Sequence, residues 1–405
     1  MAIQNTSNLS NAIGTRYTQK YQRAATVRRL YDQLAAPVGA PQFDLESRKG
    51  MGTTYTFNFA SDLTPGTTAI SESADIVPQI LRDATSTITP TSRGEALKWS
   101  ELVDLEAYTD YVSIRSEKLG ENAMESIEAL AIAAALGGSL KVPGTARASL
   151  DAGTAGDTLT EAAFWKAATM AQDLKCPPFI DDKGRRMFMA IMHSDAYYDL
   201  FHGGNVLTAA TYGGLPGTLL FNGEMGEIAN FKIIASPFAK VFGGAGADNG
   251  SGSSQTYTLS AAANALATTL SVNTGTNLQY GRLLTVGTEE TSTTFYPTNE
   301  RVRWVSGTTT ATIVGSGANG GIRFDHAATD YVLNADSVYP VAFGAPNSLV
   351  KVFANEVGEF GEMVGPEYDG LAHQWQQMAW KFYGGYGRVA ENYIMRGEYS
   401  SSLDA

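Results

Sequence analysis

The stretch Leu219–Ser236, LLFNGEMGEIANFKIIAS, carries the most information about the fold of this chain. Its first apolar run, Leu219–Phe221, stops at Asn222-Gly223, and a second apolar run, Phe231–Ala235, follows another glycine. Asn-Gly readily adopts the positive φ angles of a tight turn. The pattern therefore predicts two short strands that flank a glycine-rich connection.

The residues upstream of this stretch predict a mixed α/β domain. Asp157–Gln172 has the apolar spacing of an amphipathic helix, which Thr158 or Thr160 can cap. Met187–Met192 predicts a buried strand, and Ser194–Phe201 predicts a helix directly after it.

Length, composition and charge restrict the class of protein. With 405 residues, the chain is expected to hold two or three domains. A formal net charge of −12 disfavours a nucleic-acid binder of the usual basic kind. No apolar run approaches the length of a membrane span, and the N-terminus lacks the apolar core of a signal peptide. We expect a soluble protein that is made in the cytoplasm and does not contact membranes.

The first 36 residues are basic, whereas the rest of the chain is acidic. Their net charge is +4, so the other 369 residues carry −16. Tyr17–Leu34 predicts a helix. The basic residues in or beside it are Arg16, Lys20, Arg23, Arg28 and Arg29. They form either a solvated helix face or a surface that meets a polyanion or another subunit.

Residues 48–95 predict a long hairpin with little core of its own. Thr53–Phe59 alternates strand-forming residues, Ile76–Ile88 holds a second apolar set, and Pro65-Gly66 marks a turn between them. An isolated two-stranded ribbon is marginally stable in water. We therefore expect this hairpin to pack on another surface.

The strongest helical pattern is Thr109–Leu136, which ends at Gly137-Gly138. Its apolar stripe has three- and four-residue spacing and consists of Leu119, Ala123, Ile127, Leu130, Ala131 and Ala134. Three carboxylates follow at four-residue spacing: Glu117, Glu121 and Glu125. They form either a solvated acidic face or the acidic half of salt bridges between subunits.

A composition break separates the next region. Gly243–Ser254 is typical of a flexible linker, and residues 255–335 are rich in Thr, Ala, Gly and Asn. This region predicts a small all-β barrel or sandwich. Its predicted strands are Thr256–Leu259, Thr269–Val272, Arg282–Val286, Val302–Val305, Thr310–Val314 and Tyr331–Leu333.

The search for catalytic and metal-binding patterns is negative. The sequence has no G-x-S-x-G, H-E-x-x-H or Gly-Lys pattern. Asp325-His326 lacks a second histidine at ligand spacing, so a histidine bonded to a turn is favoured over a metal site. The one cysteine, Cys176, predicts a buried small residue. We expect no enzyme activity and no cofactor.

The C-terminal segment His373–Ser401, HQWQQMAWKFYGGYGRVAENYIMRGEYSS, predicts a strand, a turn at Gly384-Gly385 and a returning strand, Val389–Met395. Together with LFNGEMGEI at 220–228, it resembles major capsid proteins of tailed bacteriophages with the HK97-type fold. The resemblance is greatest to the N4-like subgroup and extends over most of the chain.

The resemblance implies an α+β HK97-type fold with an inserted small all-β domain. It divides the chain into an N-terminal arm (1–47), an extended loop (48–95), a spine helix with the peripheral domain (96–150), and an axial domain (151–242). The inserted domain (243–337) and the C-terminal strands (338–405) follow. The extended loop has no lysine beyond Lys49, so covalent cross-linking through it is not expected.

The implied role is a major capsid protein that forms hexamers and pentamers of an icosahedral shell around double-stranded DNA. The implied partners are other copies of the chain, a separate scaffolding protein, a portal and a decoration protein, with weak contact to DNA. The implied location is the virion capsid, assembled in the host cytoplasm. Deletion of residues 1–36 is expected to impair assembly and leave the subunit folded.

Two alternative functions stay open at the level of sequence. An encapsulin-like cellular compartment would share the fold and enclose enzyme cargo. A β-rich virion surface protein would use residues 255–335 to bind a receptor or glycan.

Overall fold

The computed structural model describes fifteen segments of the chain, and every structural statement below concerns them. They are residues 30–37, 54–67, 78–106, 111–152, 154, 156–180, 184–202, 227–247, 256–273, 281–288, 296–307, 310–345, 348–353, 361–369 and 374–404. The Asn222-Gly223 connection and the predicted strand before it lie outside these segments.

A long sheet is built around one strand of fourteen residues, β18 (Trp375–Arg388). One half of β18 lies between β4 (Thr91–Ser100) and β17 (Glu362–Asp369). Its other half pairs with β16 (Leu349–Phe353), which in turn pairs in parallel with β1 (Ala35–Pro37). The sheet thus joins segments from the beginning, the middle and the end of the chain.

The predicted long helix is confirmed as α2 (Tyr111–Leu136), which follows a short exposed helix, α1 (Glu101–Glu106). Leu119, Ala123 and Ile127 of α2 are buried. They form one apolar cluster with Met378, Trp380 and Phe382 of β18. The alternation of these three residues is the period-two pattern of a strand with one buried face.

A mixed sheet contains the region upstream of the quoted stretch. Its strand order is β19-β15-β6-β8-β7, with β5 on β6. The strands are β5 (Phe179–Ile180), β6 (Arg186–His193), β7 (Glu227–Ile228), β8 (Phe231–Ser236), β15 (Tyr339–Gly344) and β19 (Ile394–Tyr399). The predicted strands at β6 and β8 are confirmed, and they pair in parallel.

Two helices belong to the mixed sheet, as the sequence predicts. They are α3 (Glu161–Asp173) and α4 (Ser194–His202). The N-cap of α3 is Thr160, and its side chain makes no capping hydrogen bond. Phe164 of α3 packs edge-on against Phe231 and Phe343 of the sheet, with ring centroids 5.9 and 5.3 Å apart.

Six strands between residues 256 and 333 form a separate antiparallel sheet with the order β10-β13-β12-β11-β14-β9. They are β9 (Thr256–Thr258), β10 (Thr269–Ser271), β11 (Leu283–Gly287), β12 (Glu300–Ser306), β13 (Thr310–Val314) and β14 (Tyr331–Leu333). All six predicted strands are confirmed within a residue or two. Their buried apolar side chains form a cluster of their own, which includes Trp304 and Val332.

The predicted hairpin is confirmed in its two strands, β2 (Tyr55–Ala60) and β3 (Asp83–Ile88), which pair only with each other. Phe57 and Ile88 at its base are buried against Val350 and Val352 of the long sheet and against Val389. The hairpin therefore stands on the long sheet as a separate ribbon.

Two predictions about the C-terminal segment are wrong. β18 runs straight through Gly384-Gly385, and β19 pairs with β15 of the mixed sheet instead of returning along β18. The glycines permit close contacts: a Cβ at Gly387 would lie 2.5 Å from Ile88, and one at Gly384 would lie 2.6 Å from the Val352 carbonyl oxygen. Glycine within a strand often marks such an approach of a second backbone.

The predicted helix Tyr17–Leu34 is wrong in its described part. Tyr31–Leu34 is a single 3-10 turn that leads directly into β1. Tyr31 and Leu34 are fully buried in the same cluster as Ala131 and Ala135 of α2. Because these side chains pack against α2, the chain forms a 3-10 turn where the sequence predicts the last turn of an α-helix.

Candidate interaction surfaces and the polar junction

The far end of the hairpin exposes apolar side chains. Leu63, Ile80 and Leu81 are 58, 85 and 58% exposed. Two reciprocal hydrogen bonds of 2.8 Å between Thr64 and Gln79 hold the two chain segments together beyond the strands. The described part of this end is therefore a paired ribbon with three exposed apolar side chains.

A second exposed apolar set lies where β4 passes into α1. Leu102, Val103 and Leu105 of α1 are 58, 45 and 75% exposed. Asp104 of the same helix faces inward, where it accepts hydrogen bonds from the Trp99 indole at 2.6 Å and from Arg115 at 2.8 Å. The polar residue thus fixes the helix to the sheet, and the apolar residues point away from it.

The three predicted carboxylates of α2 differ in their surroundings. Glu117 is exposed. Glu121 forms an ion pair of 2.8 Å with Lys118, and Glu125 forms one of 2.6 Å with Arg323. Arg323 follows β13, so Glu125 connects α2 with the region of the antiparallel sheet. The predicted salt bridges between subunits stay a prediction.

The five basic residues predicted to face DNA or another subunit lie outside the described segments. They are Arg16, Lys20, Arg23, Arg28 and Arg29. The described chain begins at Leu30, whose backbone N–H donates to Glu128 Oε1 at 2.9 Å. Glu128 was not among the predicted site residues, although a carboxylate beside Ile127 and Ala131 on the apolar stripe is a visible signal.

Residues 30–36 are part of the core of the subunit. Asp32 accepts hydrogen bonds from Lys351 Nζ at 3.1 Å and from the Tyr386 hydroxyl at 2.7 Å. Tyr31, Leu34 and Ala36 are at most 1% exposed. This burial argues against the expectation that the subunit stays folded without residues 1–36, because the deletion would remove buried side chains.

Four residues from distant parts of the chain form a cluster, with two members buried and two partly buried, that we call the polar junction. They are Asp195 at the start of α4, Arg301 on β12, Tyr339 on β15, and Asp404 in the last described turn. Arg301 Nη1 donates to the Tyr339 hydroxyl at 2.7 Å, and Arg301 Nη2 lies 3.3 Å from Asp195 Oδ2. The junction thus connects the antiparallel sheet with the mixed sheet.

The acids of the polar junction have shifted pKa values. Burial alone would raise the pKa of Asp195, but the hydrogen bond and charge of His193 and the charge of Arg301 outweigh it and hold that pKa well below its usual range. Burial raises the pKa of Asp404, against the opposing charge of Arg301. Burial also raises the pKa of Tyr339, so its phenol keeps its proton.

Asp336, which lies between β14 and β15, connects Arg282 with the segment before α3. Its carboxylate pairs with Arg282 Nη2 at 3.2 Å and accepts the backbone N–H of Ala152 at 2.8 Å. Three arginines of the antiparallel sheet region thus each form an ion pair with a carboxylate from outside the six antiparallel strands: Arg282, Arg301 and Arg323.

His326 is buried between two carboxylates of the antiparallel sheet region. Its Nε2 lies 3.1 Å from Glu300 Oε1, and its Nδ1 lies 3.2 Å from Asp330 Oδ2, which belongs to the turn that follows. Asp325 accepts the N–H of Ala265 instead. The turn contact agrees with the sequence interpretation, which missed Glu300. No cluster of three or more metal-ligating side chains occurs in the described segments.

Cys176 is 5% exposed, as predicted, and burial raises the pKa of its thiol to about 11. Within the part of the chain that the structure describes, no helix is long and apolar enough to cross a membrane.

Three solved structures share this fold at low sequence identity. The capsid of Ralstonia phage GP4 is 12% identical with a TM-score of 0.54, and the similarity covers 92% of each chain. The capsid of cyanophage Pam1 is 13% identical with a TM-score of 0.53 over 93% of each chain. The capsid of cyanophage P-SCSP1u is 13% identical with a TM-score of 0.50, over 91% of this chain and 87% of that one.

No protein-family model matches the chain, and no curated protein sequence matches it. The structural likeness nevertheless extends over about nine tenths of the chain. The chain therefore has the HK97-like fold of tailed-phage capsid proteins.

Proposed function

We propose that this chain is the major capsid protein of a tailed bacteriophage, a structural protein that self-assembles into the icosahedral shell of the virion. The observation that carries the proposal is the likeness to the GP4 and Pam1 capsids over more than nine tenths of every chain compared. A likeness of this extent reaches well beyond one shared domain.

The proposed assembly consists of hexamers and pentamers in which each subunit places its hairpin on a neighbour. The exposed Leu63, Ile80 and Leu81 support this arrangement, because an isolated subunit leaves them in water. The apolar face of α1 offers further area for contact. Contacts of both kinds around a ring would bury more surface per subunit than one standard interface of about 1,600 Å².

We assign the basic residues before Leu30 to an arm that approaches packaged double-stranded DNA or an adjacent subunit. Arg16, Lys20, Arg23, Arg28 and Arg29 would bind phosphate weakly and without sequence preference. The acidic remainder of the subunit, with a net charge of −16 over residues 37–405, would limit adhesion of DNA to the shell.

The proposed partners beyond the shell itself are a separate scaffolding protein, a portal and a decoration protein. The subunit would be made in the host cytoplasm and end in the virion. We further propose that the chain is closest to the N4-like subgroup, on the sequence pattern of Leu220–Ile228 and His373–Ser401.

We propose that residues 243–337 form an inserted all-β domain on the outer surface of the shell. Two observations support this: the apolar cluster of the antiparallel sheet is drawn only from residues 257–332, and both ends of the region return to one place. There Phe242 and Val338 exchange backbone hydrogen bonds of 2.9 Å. Insertion at such a point disturbs the host fold little. The other domain divisions given above are proposed with the same bounds.

Sedimentation and absorbance of purified particles test the proposed function. A major capsid protein gives particles of one large size, and those from infected cells have the absorbance of nucleic acid. Particles of one size that hold protein cargo and no nucleic acid would favour the encapsulin-like compartment. A stable monomer that binds a glycan or receptor through residues 255–335 would favour the surface-binding protein.

A further inference from the structure

The polar junction lies where the antiparallel sheet, the mixed sheet and the C-terminal turn meet. Arg301 comes from the antiparallel sheet, Tyr339 from the mixed sheet, and Asp404 from the turn Ser402–Asp404 that ends the described chain. Tyr339 is fully buried and Asp404 is 8% exposed. Any change in the charge of this cluster therefore acts on all three parts at once.

The Tyr339 hydroxyl is the centre of the cluster. It accepts from Arg301 Nη1 at 2.7 Å. Two carboxylate oxygens lie within hydrogen-bond distance of the same hydroxyl, Asp404 Oδ2 at 2.8 Å and Asp195 Oδ2 at 3.1 Å. A phenol has one proton to donate, so it serves only one of these oxygens.

The second carboxylate contact requires another proton. With both acids ionised, two oxygens that carry lone pairs would face each other at about 3 Å in a buried site, which is repulsive. If one acid is neutral, its O–H donates to the Tyr339 oxygen, and the phenol donates to the other acid. Every short contact in the cluster then contains one proton.

Asp404 is the acid that carries this proton. Asp195 lies 3.3 Å from Arg301 Nη2 and from His193 Nδ1, so its ionised form is favoured. Asp404 has the neutral hydroxyls of Tyr339 and Ser337 as hydrogen-bond partners. Burial also raises the pKa of Asp404, in agreement with this assignment.

Other charges surround the site from each neighbouring element. Arg282 at the start of β11 interacts with both Asp404 and Asp151, and Asp151 precedes α3. Asp199 of α4 accepts the backbone N–H of Ser402 at 3.1 Å, next to Asp404 in the turn. His193 at the end of β6 places its Nδ1 3.3 Å from Asp195 Oδ2.

We propose that the polar junction takes up one proton at Asp404, and that this proton fastens the antiparallel sheet and the C-terminal turn to the mixed sheet. The junction would then be closed in acidic solution and loosen as the pH rises. This inference concerns the subunit alone, so it can fail while the proposed capsid function holds.

The direction of the pH effect follows from the pKa shift of Asp404. A pKa raised in the folded state means that the folded protein binds the proton more tightly than the unfolded chain does. The stabilisation is complete below the ordinary pKa of 3.8 and is lost as the pH rises through the raised value. Asp195 has a lowered pKa, so its contribution to stability is present above the ordinary pKa of 3.8 and is lost only as the pH falls below it.

The test compares Asp404→Asn with the parent chain in the same assembly state. An asparagine amide donates to the Tyr339 oxygen at every pH, as only the neutral acid does. As the pH rises above about 4, the melting temperature of the parent should fall relative to that of the variant. Asp173→Asn, at an exposed aspartate in the last turn of α3, is the matched control and should follow the parent throughout.

Infrared spectroscopy supplies a reading that does not depend on the folding of a variant. Above the ordinary aspartate pKa of 3.8, the parent should keep the carbonyl band of one protonated carboxylic acid, and this band should be absent from Asp404→Asn. Tyr339→Phe removes the partner of the neutral acid and should shift the pH at which the band disappears. Parallel melting profiles of parent and Asp404→Asn, or a parent in which no carboxylic acid band persists above the pH at which exposed aspartates lose theirs, would overturn the proposal.

Discussion

Glu128 Oε1, in the middle of α2, accepts a hydrogen bond of 2.5 Å from the backbone N–H of Tyr31, 97 residues earlier in the sequence. The same oxygen accepts the N–H of Leu30. The Tyr31 hydroxyl in turn accepts the N–H of Lys240 at 3.3 Å. Leu30 and Tyr31 are therefore fixed by α2 on one side and by Lys240 on the other.

Replacement of Glu128 by alanine should destabilise the subunit. The substitution leaves the N–H groups of Leu30 and Tyr31 buried without this acceptor, at a cost of about 1–3 kcal/mol in the free energy of unfolding. Urea denaturation of the parent and the variant measures the difference. The control is Glu117→Ala on the exposed side of the same helix, which should change stability by less than about 0.5 kcal/mol. Equal losses in the two variants would contradict the anchoring role.

Two N-terminal deletions should separate the arm from the core. A chain that lacks residues 1–29 keeps Tyr31 and Leu34 and should melt close to the parent temperature, but assemble poorly. A chain that lacks residues 1–36 also loses β1 and should be much less stable. Melting temperature and particle yield measure the two effects. Normal shells from the shorter deletion would show that the arm has no part in assembly.

Substitution of Ile80 by lysine should block assembly and leave the subunit folded. Ile80 is 85% exposed near the hairpin tip, so the free subunit loses little when it changes. A lysine at a contact between subunits would be buried without a partner, which is costly. Sedimentation measures the loss of large particles, and circular dichroism measures the fold. Ile80→Leu retains the apolar contact and should assemble normally; equal assembly of both variants would contradict a role for the tip.

The stability of the antiparallel sheet region should depend on the charge of His326. Burial alone would lower the pKa of His326, but hydrogen bonds to Glu300 and Asp330 outweigh it and raise that pKa. The resulting stabilisation is present below the ordinary value of 6.5 and is lost as the pH rises through the raised pKa. Comparison of melting temperatures against pH should give a flatter profile for His326→Gln. His202→Gln, at an exposed histidine, should keep the profile of the parent; the same profile in His326→Gln would refute the effect.

Local pattern in the sequence was sufficient for most of the regular structure. The apolar spacing of Leu119, Ala123 and Ile127 predicts the helix α2. The alternation of Met378, Trp380 and Phe382 predicts a strand at the position of β18. Both patterns depend only on which face of one element is buried.

Contacts between distant segments could not be predicted in this way. Gly384-Gly385 has the composition of a turn, but the strand continues because β16 and the base of the hairpin approach its backbone. The partner Tyr31 of Glu128 is 97 residues away in the sequence. The partners of Arg301 are 38 and 106 residues away. An acid on an apolar stripe indicates that a partner exists, but its identity depends on the tertiary fold.

Negative-stain electron microscopy of the recombinant full chain, expressed with and without its candidate scaffolding protein, tests the central claim most directly. The account predicts uniform icosahedral shells, or rings of five and six subunits, in at least one of these conditions. A well-behaved monomer or dimer in both conditions would contradict the proposal that this fold serves to build a capsid.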